Sequence, residues 1–338
     1  MNTSACRDEA AAENLCSLLA GLRSHAGIAQ KQDIADVVQA LGRQGFDAAE
    51  AWIGDDCAVI PRDDGRHLLF AIEGFINAFV AHDAWFAGWC GVMVNLSDVA
   101  AMGGRPLAVV DALWSAGPEQ AVALMDGLRA AARAFDVPIV GGHTNVRSAQ
   151  GQLAVAVLGE ARRPLSSFAA RPGDRLIGAI DLRGRYREPF DNWDAATSAP
   201  PARLRGDLAV LPDIAEAGLA HAAKDISQAG LLGTLLMLME CSGVGARIRL
   251  EALPRPAGVE PARWLRSFPS FGYLLACRPG QQADLLQRFA ARDIAAAEVG
   301  VFEAGTCLVV EHDGVAAVFR DLAHSPLMGL PGPAGVRS

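Results

Sequence analysis

The segment from His82 to Met102 constrains this chain more than any other. It is rich in Ala, Gly, Trp and Val and shows no strand alternation, so it reads as a buried helix. It also carries an acid, Asp98, in Asn95-Leu96-Ser97-Asp98. A carboxylate set between a loop and an apolar helix is not buried alone without a large penalty. The same problem recurs at Asp55-Asp56 and at Asp225 in Lys224-Asp225-Ile226-Ser227. One solution is helix capping, because Asp98 precedes Val99-Ala100-Ala101 and Asp225 precedes an apolar run through Leu231-Leu232. The other is a shared metal. Mg²⁺ takes oxygen ligands, usually one or two carboxylates with phosphate oxygens and water. On the residues alone both solutions stand open.

Around these acids the pattern is mixed. Residues 9 to 23 and 32 to 44 read as amphipathic helices, joined by Ser24-His25-Ala26-Gly27. Asp55 to Ile60 and His67 to Ile72 read as strands about an Asp63-Asp64-Gly65 turn, which makes a hairpin plausible. Pro106 to Leu113 reads as a strand, Pro118 to Ala134 as a helix with Glu119 in its first turn, and Pro138 to Val140 as a short buried strand. Leu153 to Leu158 closes this unit. Arg162 to Asp174, with its prolines, glycine and serines, is the best linker candidate. Beyond it, strands are expected at Arg175 to Ile180, Gly272 to Cys277 and Cys307 to Glu311. Helices are expected at Gly206 to Ala217, Gly230 to Ser242 and Gly280 to Ala291. Residues 183 to 205 are polar and irregular, and no role can be read from them. The reading is α/β (α+β) in two domains, 1–165 and 170–330, with a disordered tail at 331–338.

The length of 338 residues suits two domains of about 150 residues each. A net charge of −8 without basic clusters argues against nucleic acid as a partner. An acidic protein can still bind a nucleotide when a divalent ion sits between carboxylate and phosphate. The cysteines are odd in number and never spaced CxxC, which argues against a disulfide framework or zinc and for a reducing compartment. The N-terminal residues carry acids where a signal peptide needs positive charge, and no window is apolar enough to span a membrane. A cytoplasmic protein is expected. Lys31 and Lys224 are the only lysines among 30 basic residues. An arginine-rich codon usage accounts for the scarcity, and each survivor still invites a question.

Two glycine segments can bring bare backbone N–H groups to an anion: Met102-Gly103-Gly104 and Gly141-Gly142-His143-Thr144-Asn145. Neither fits the P-loop or dinucleotide fingerprints. His143 by itself reads as a structural histidine, with no spacing that supports zinc.

In order along the chain, these pieces resemble one family. Gly54-Asp55-Asp56-Cys57-Ala58-Val59 is similar to a GDDAAV motif, and Asn95 through Pro106 to an NxSDxxAMGGxP signature. Gly141-Gly142-His143-Thr144 resembles a GGHT variant, Asp225 through Gly233 a D-[IV]-[ST]-x-x-G-L-L-G segment, and Ser270 through Ala276 a TSGGLLLA segment. The family is the superfamily of aminoimidazole ribonucleotide (AIR) synthetase and selenophosphate synthetase, and the resemblance spans roughly residues 22 to 312. It implies two α/β domains and a homodimer whose N-terminal strands build a shared β-barrel. It implies an ATP cleft with Mg²⁺ on Asp98 and Asp225 and on Asp55 or Asp56. Gly141 and Gly142 would approach the phosphates, and Asn95, His143 and Thr144 would also contact the nucleotide. Ser24 to Lys31 resembles the active-site loop of selenophosphate synthetases, which makes Lys31 the catalytic candidate, its ammonium set against the transferring phosphoryl group.

The departures narrow the expectation. The loop before Lys31 holds no cysteine, and Glu73 stands where the family usually has an aspartate. Asp181-Leu182-Arg183-Gly184-Arg185 replaces the usual glycines after the linker strand. The expected function is ATP- and Mg²⁺-dependent phosphoryl transfer to a small-molecule acceptor. The alternative is a nucleotide-binding accessory or maturation protein without turnover.

Overall fold

The computed structural model describes residues 3–41 and 53–330. The tail 331–338 and the end of the helix expected to reach residue 44 lie outside the described residues. In the first half the elements are α1 (Thr3–Arg23), α2 (Ala26–Ala29), α3 (Asp33–Leu41), β1 (Ala58–Pro61), β2 (His67–Phe75), α4 (Asn77–His82), α5 (Ala84–Ala101), β3 (Arg105–Trp114), α6 (Pro118–Phe135), β4 (Ile139–Asn145) and β5 (Gln152–Ala161). The strands form one sheet in the order β1-β2-β5-β3-β4, antiparallel except for β3 against β4. The expected hairpin is present, with Gly65 at φ +78° in its turn.

Period-two alternation decides which way this sheet faces. Leu69 and Ala71 of β2, with Val155 and Val157 of β5, are buried in one core with α5 and α6. Phe70, Ile72, Val110 and Leu158 belong to the alternate set and are 48, 65, 39 and 38% exposed. One face is therefore covered by helices, and the other is open and apolar.

The covering helices meet backbone to backbone. A Cβ at Gly127 of α6 would lie 1.9 Å from the Trp85 carbonyl, and one at Gly88 of α5 would lie 2.1 Å from the Leu124 carbonyl. Gly127→Ala should therefore push the helices apart and destabilise the chain by about 1–3 kcal/mol or more, measured by denaturant unfolding. A variant as stable as the wild type would contradict this packing.

The second half comprises β6 (Arg175–Ile180), β7 (Arg185–Arg187), β8 (Asn192–Asp194), α7 (Pro201–Leu208), α8 (Val210–Ala217), β9 (Ala222–Asp225), α9 (Gly230–Ser242), β10 (Gly245–Arg249), α10 (Pro261–Arg266), β11 (Phe268–Pro269), β12 (Gly272–Cys277), α11 (Gln282–Ala290), β13 (Ala295–Glu303), β14 (Cys307–His312) and β15 (Val315–Asp321). Seven strands form a sheet in the order β15-β14-β10-β13-β6-β12-β9. Both its faces are covered. Leu274 and Ala276 of β12 share a core with α9 and α1, while Tyr273, Leu275 and Cys277 share another with α8 and α11. The helix expected over Gly206 to Ala217 is two helices that break at Ala209.

Several expectations need correction. Pro138 to Val140 opens a seven-residue edge strand, β4, that is largely exposed rather than short and buried. The linker candidate is packed and not loose, since Leu165 and Ser167 are buried and the Leu165 N–H donates to the Met102 carbonyl at 3.0 Å. Met102-Gly103-Gly104 ends α5: Gly103 and Gly104 donate to the carbonyls of Ala100 and Val99 at 2.8 and 2.9 Å. Gly103, at φ +69°, is a left-handed helix cap, so these N–H groups are spent on the helix and not on an anion. Residues 183 to 205 gain a structure, because β7 and β8 join β11 in a small third sheet. Among the described residues no helix is long and apolar enough to cross a membrane.

Candidate active site

The two halves meet along α5. Its last residues, Ala100 and Ala101, lie inside a core of the second half, and Arg105 just beyond pairs with Asp213 at 2.9 Å and with Glu216. This docking carries Asp98, one turn from the end of α5, to the last residue of β9, Asp225. Asp56, just before β1, completes the group. Carboxylate oxygens of Asp56, Asp98 and Asp225 all lie within 4.8 Å of one another.

Helix capping does not account for these acids. Asp83, not Asp98, caps α5, accepting from the Phe86 N–H at 3.0 Å. Asp98 sits instead in the final turn, where the helix dipole disfavours negative charge. Asp225 ends a strand, and Ala229 occupies the N-cap of α9. Asp98 is 5% exposed, and its Oδ2 is buried without a hydrogen-bond partner. Burial, then the charges of Asp225, Glu73 and Asp56, hold the Asp98 carboxyl well above the usual range. Burial and then Asp56 do the same to Asp225, with Lys224 opposing. Three clustered carboxylates, one with an orphaned oxygen, fit a hard divalent cation.

Of the two candidates Asp55 and Asp56, Asp55 is not part of the cluster. Its carboxylate accepts from the Ser166 hydroxyl at 2.7 Å and from the Ser167 hydroxyl and N–H at 2.7 and 3.0 Å. It pins the connection between the halves. Asp56 is the residue that turns inward. It accepts from the Lys224 ammonium and from the Asp225 N–H at 3.3 Å.

These groups open into a cleft of about 580 Å³, which Lys31, Glu73 and Lys224 also line. Both lysines of the chain thus face one cavity. Lys31 follows α2, and its loop is held by backbone contact: a Cβ at Gly27 would meet the Gln228 carbonyl at 2.2 Å. Ile28 is buried, and its side chain comes within 3.1 Å of where a Gly233 Cβ would lie. Burial raises the Glu73 pKa, Lys31 opposes the rise and Asp56 adds to it.

Part of the cleft lining is aromatic. Phe75, Phe79, Phe190 and Phe268 line it, with Phe79 and Phe190 edge to face at 5.3 Å. His25 and Arg266 add polar groups, and Arg266 also donates to Asp191 at 3.3 Å. Phe190 and Asp191 come from the segment that could not be read in sequence, and only the packing of β8 beside β11 brings them here.

The expected nucleotide contacts fall elsewhere. Asn95 is buried inside α5, donating to the Gly91 carbonyl at 2.8 Å, and does not line the cleft. Gly141, Gly142, His143 and Thr144 lie on the exposed edge strand β4, and none of them lines the cleft of their own chain.

Fold and cleft together define a two-domain α/β protein with an acidic centre between its domains. Family models described as AIR synthase related protein match residues 54–161 as the N-terminal domain and 191–313 as the C-terminal domain. The chain belongs to this family, as the sequence motifs implied. An uncharacterised protein of Synechocystis sp. is 43% identical over 94% of this chain and 99% of its own length. A selenide, water dikinase of Bordetella bronchiseptica is 29% identical over 74% of this chain and 78% of its own length. PurL of T. maritima, solved in complex with ATP, matches the fold with a TM-score of 0.71 at 21% identity. That match covers 86% of this chain and 49% of the PurL chain.

Proposed function

We propose that this chain is an ATP- and Mg²⁺-dependent phosphotransferase acting on a small-molecule acceptor. The observation that carries the reading is the carboxylate triad with its orphaned Asp98 oxygen, in one cleft with Lys31. A relative named as a dikinase and a like fold solved with ATP support it. Asp56, Asp98 and Asp225 would hold the ion, which neutralises polyphosphate charge when bound. Lys31 donates to the phosphoryl oxygens as charge develops there. The phenylalanines of the lining take a planar or apolar group and exclude water around it. With no cysteine from Ser24 to Lys31, the acceptor brings its own nucleophile.

Calorimetric titration with a non-hydrolysable ATP analogue, with and without Mg²⁺, tests this reading. Binding that requires Mg²⁺ is expected, and absence of binding under both conditions would mean that the nucleotide site has been lost and would sink this reading. The raised pKa values of Asp98 and Asp225 add a pH signature. In EDTA the folded chain keeps protons that the unfolded chain loses near pH 4, so its stability falls as pH rises above that point. Mg²⁺ displaces those protons, so its stabilising effect on Tm should grow as pH rises above the ordinary carboxylate range. An increment independent of pH would count against ion binding at the triad.

The open sheet face supports a second part of the proposal: a homodimer in which two such faces close into a barrel. Ile60, Phe70, Ile72, Val110 and Leu158 present apolar surface that monomers seldom expose contiguously. Since β4 is an edge of this sheet, Gly141 to Thr144 would then reach phosphate through the second copy rather than in their own cleft. Phe70→Glu enters a two-fold interface twice and should weaken dimerisation at least ~100-fold. Light scattering would then find the 35.4 kDa monomer, whereas an unchanged dimer mass would exclude this face. The unpaired cysteines among the described residues fit a cytoplasmic location.

A further inference from the structure

Lys224 is not needed to explain the triad, yet it is built into it. Its side chain is 5% exposed, and the ammonium rests on Asp56, whose own side chain is 6% exposed. It is one of two lysines in a chain that otherwise uses arginine, and it directly precedes the triad residue Asp225. Strand β9 holds it in place, with Lys224 opposite Leu274 of β12. A compact ammonium on a fixed strand beside a shared carboxylate occupies the kind of position that a second ion takes in two-metal sites, where the ions sit about 3.5–4 Å apart.

We propose that Lys224 is a resident cation of the centre: it takes the place of a second metal and restricts the triad to one divalent ion. The inference rests on the triad being a metal site. It adds the stoichiometry of that site and the residue that sets it. Asp56 is then shared between the ammonium and the ion, as a bridging carboxylate would be between two metals.

Mn²⁺, which accepts the same oxygen ligands as Mg²⁺, can be counted by equilibrium dialysis with electron paramagnetic resonance on the full chain without nucleotide. Wild type should bind one Mn²⁺ per chain. Lys224→Met, of similar length without charge, should bind two, and Lys224→Arg should bind one. Should Lys224→Met unfold in EDTA, Mn²⁺ should restore its folding, read by circular dichroism, because the ion replaces the ammonium. One ion on a folded Lys224→Met, or a variant that stays unfolded at every Mn²⁺ concentration, would overturn the inference and leave the metal site intact. No ion on the wild type would sink the metal site itself, and two on the wild type would sink only the stoichiometry.

Discussion

Asp98→Asn should lower turnover by about 10³ or more while making the EDTA-treated chain more stable. The substitution keeps the shape of the side chain and removes one negative charge from the triad. Loss of a charge that helps hold the ion costs about 4 kcal/mol of transition-state stabilisation, which is near a thousandfold in rate. The buried carboxylate also faces Asp225, Glu73 and Asp56 with an unpartnered oxygen, so without an ion it is a burden on the fold. Its removal should therefore stabilise the chain in EDTA by roughly 1 kcal/mol or more. Thermal unfolding with EDTA and with Mg²⁺ reads both effects: Mg²⁺ should raise the wild-type Tm and leave that of the variant nearly unchanged. A variant that loses activity and also unfolds more easily in EDTA would mean that Asp98 serves the core and not an ion.

Lys31→Ala should lower kcat by about 10²–10³ and leave Mg²⁺-dependent binding of an ATP analogue within roughly tenfold. Lys31 lines the cleft near Glu73 but, unlike Lys224, forms no ion pair among the described residues. An ammonium not held on a carboxylate can follow the charge that develops on the transferred group, whereas one locked in an ion pair cannot. Binding and turnover must be measured separately. If the analogue affinity falls as far as kcat does, Lys31 grips the ground state and is not specific to the transition state.

Much of the architecture was legible in the sequence. The 3.6 period of Pro118 to Ala134, the alternation from His67 onward and the apolar run of α5 each mark an element, because burial on one face imposes its spacing on the chain. The family motifs, read in order, also marked the acids. Less legible was what each glycine does. Gly103-Gly104 reads in sequence as able to meet an anion or to make a turn, and it caps α5, because the left-handed conformation that suits a nest also suits a helix end. Asp55 and Asp56 are chemically identical neighbours, and the sequence held no means of choosing between them. Ser166 and Ser167 made the choice, and they lie 111 and 112 residues away from Asp55.

By itself, then, the sequence determined the elements, the family and the small set of costly residues that needed partners. Those are local matters, set by periodicity, by turn chemistry and by the price of burying a charge. Tertiary structure alone decided who the partners are. Asp56 and Lys224 meet across 168 residues because α5 docks on the second sheet and β9 ends at that seam. Gly141 to Thr144 were carried to an open sheet edge for the same kind of reason, since strand order and not spacing says which edge faces a cleft. Sequence spacing encodes the face of an element but not the neighbour on that face, and a site shared by two domains consists of neighbours.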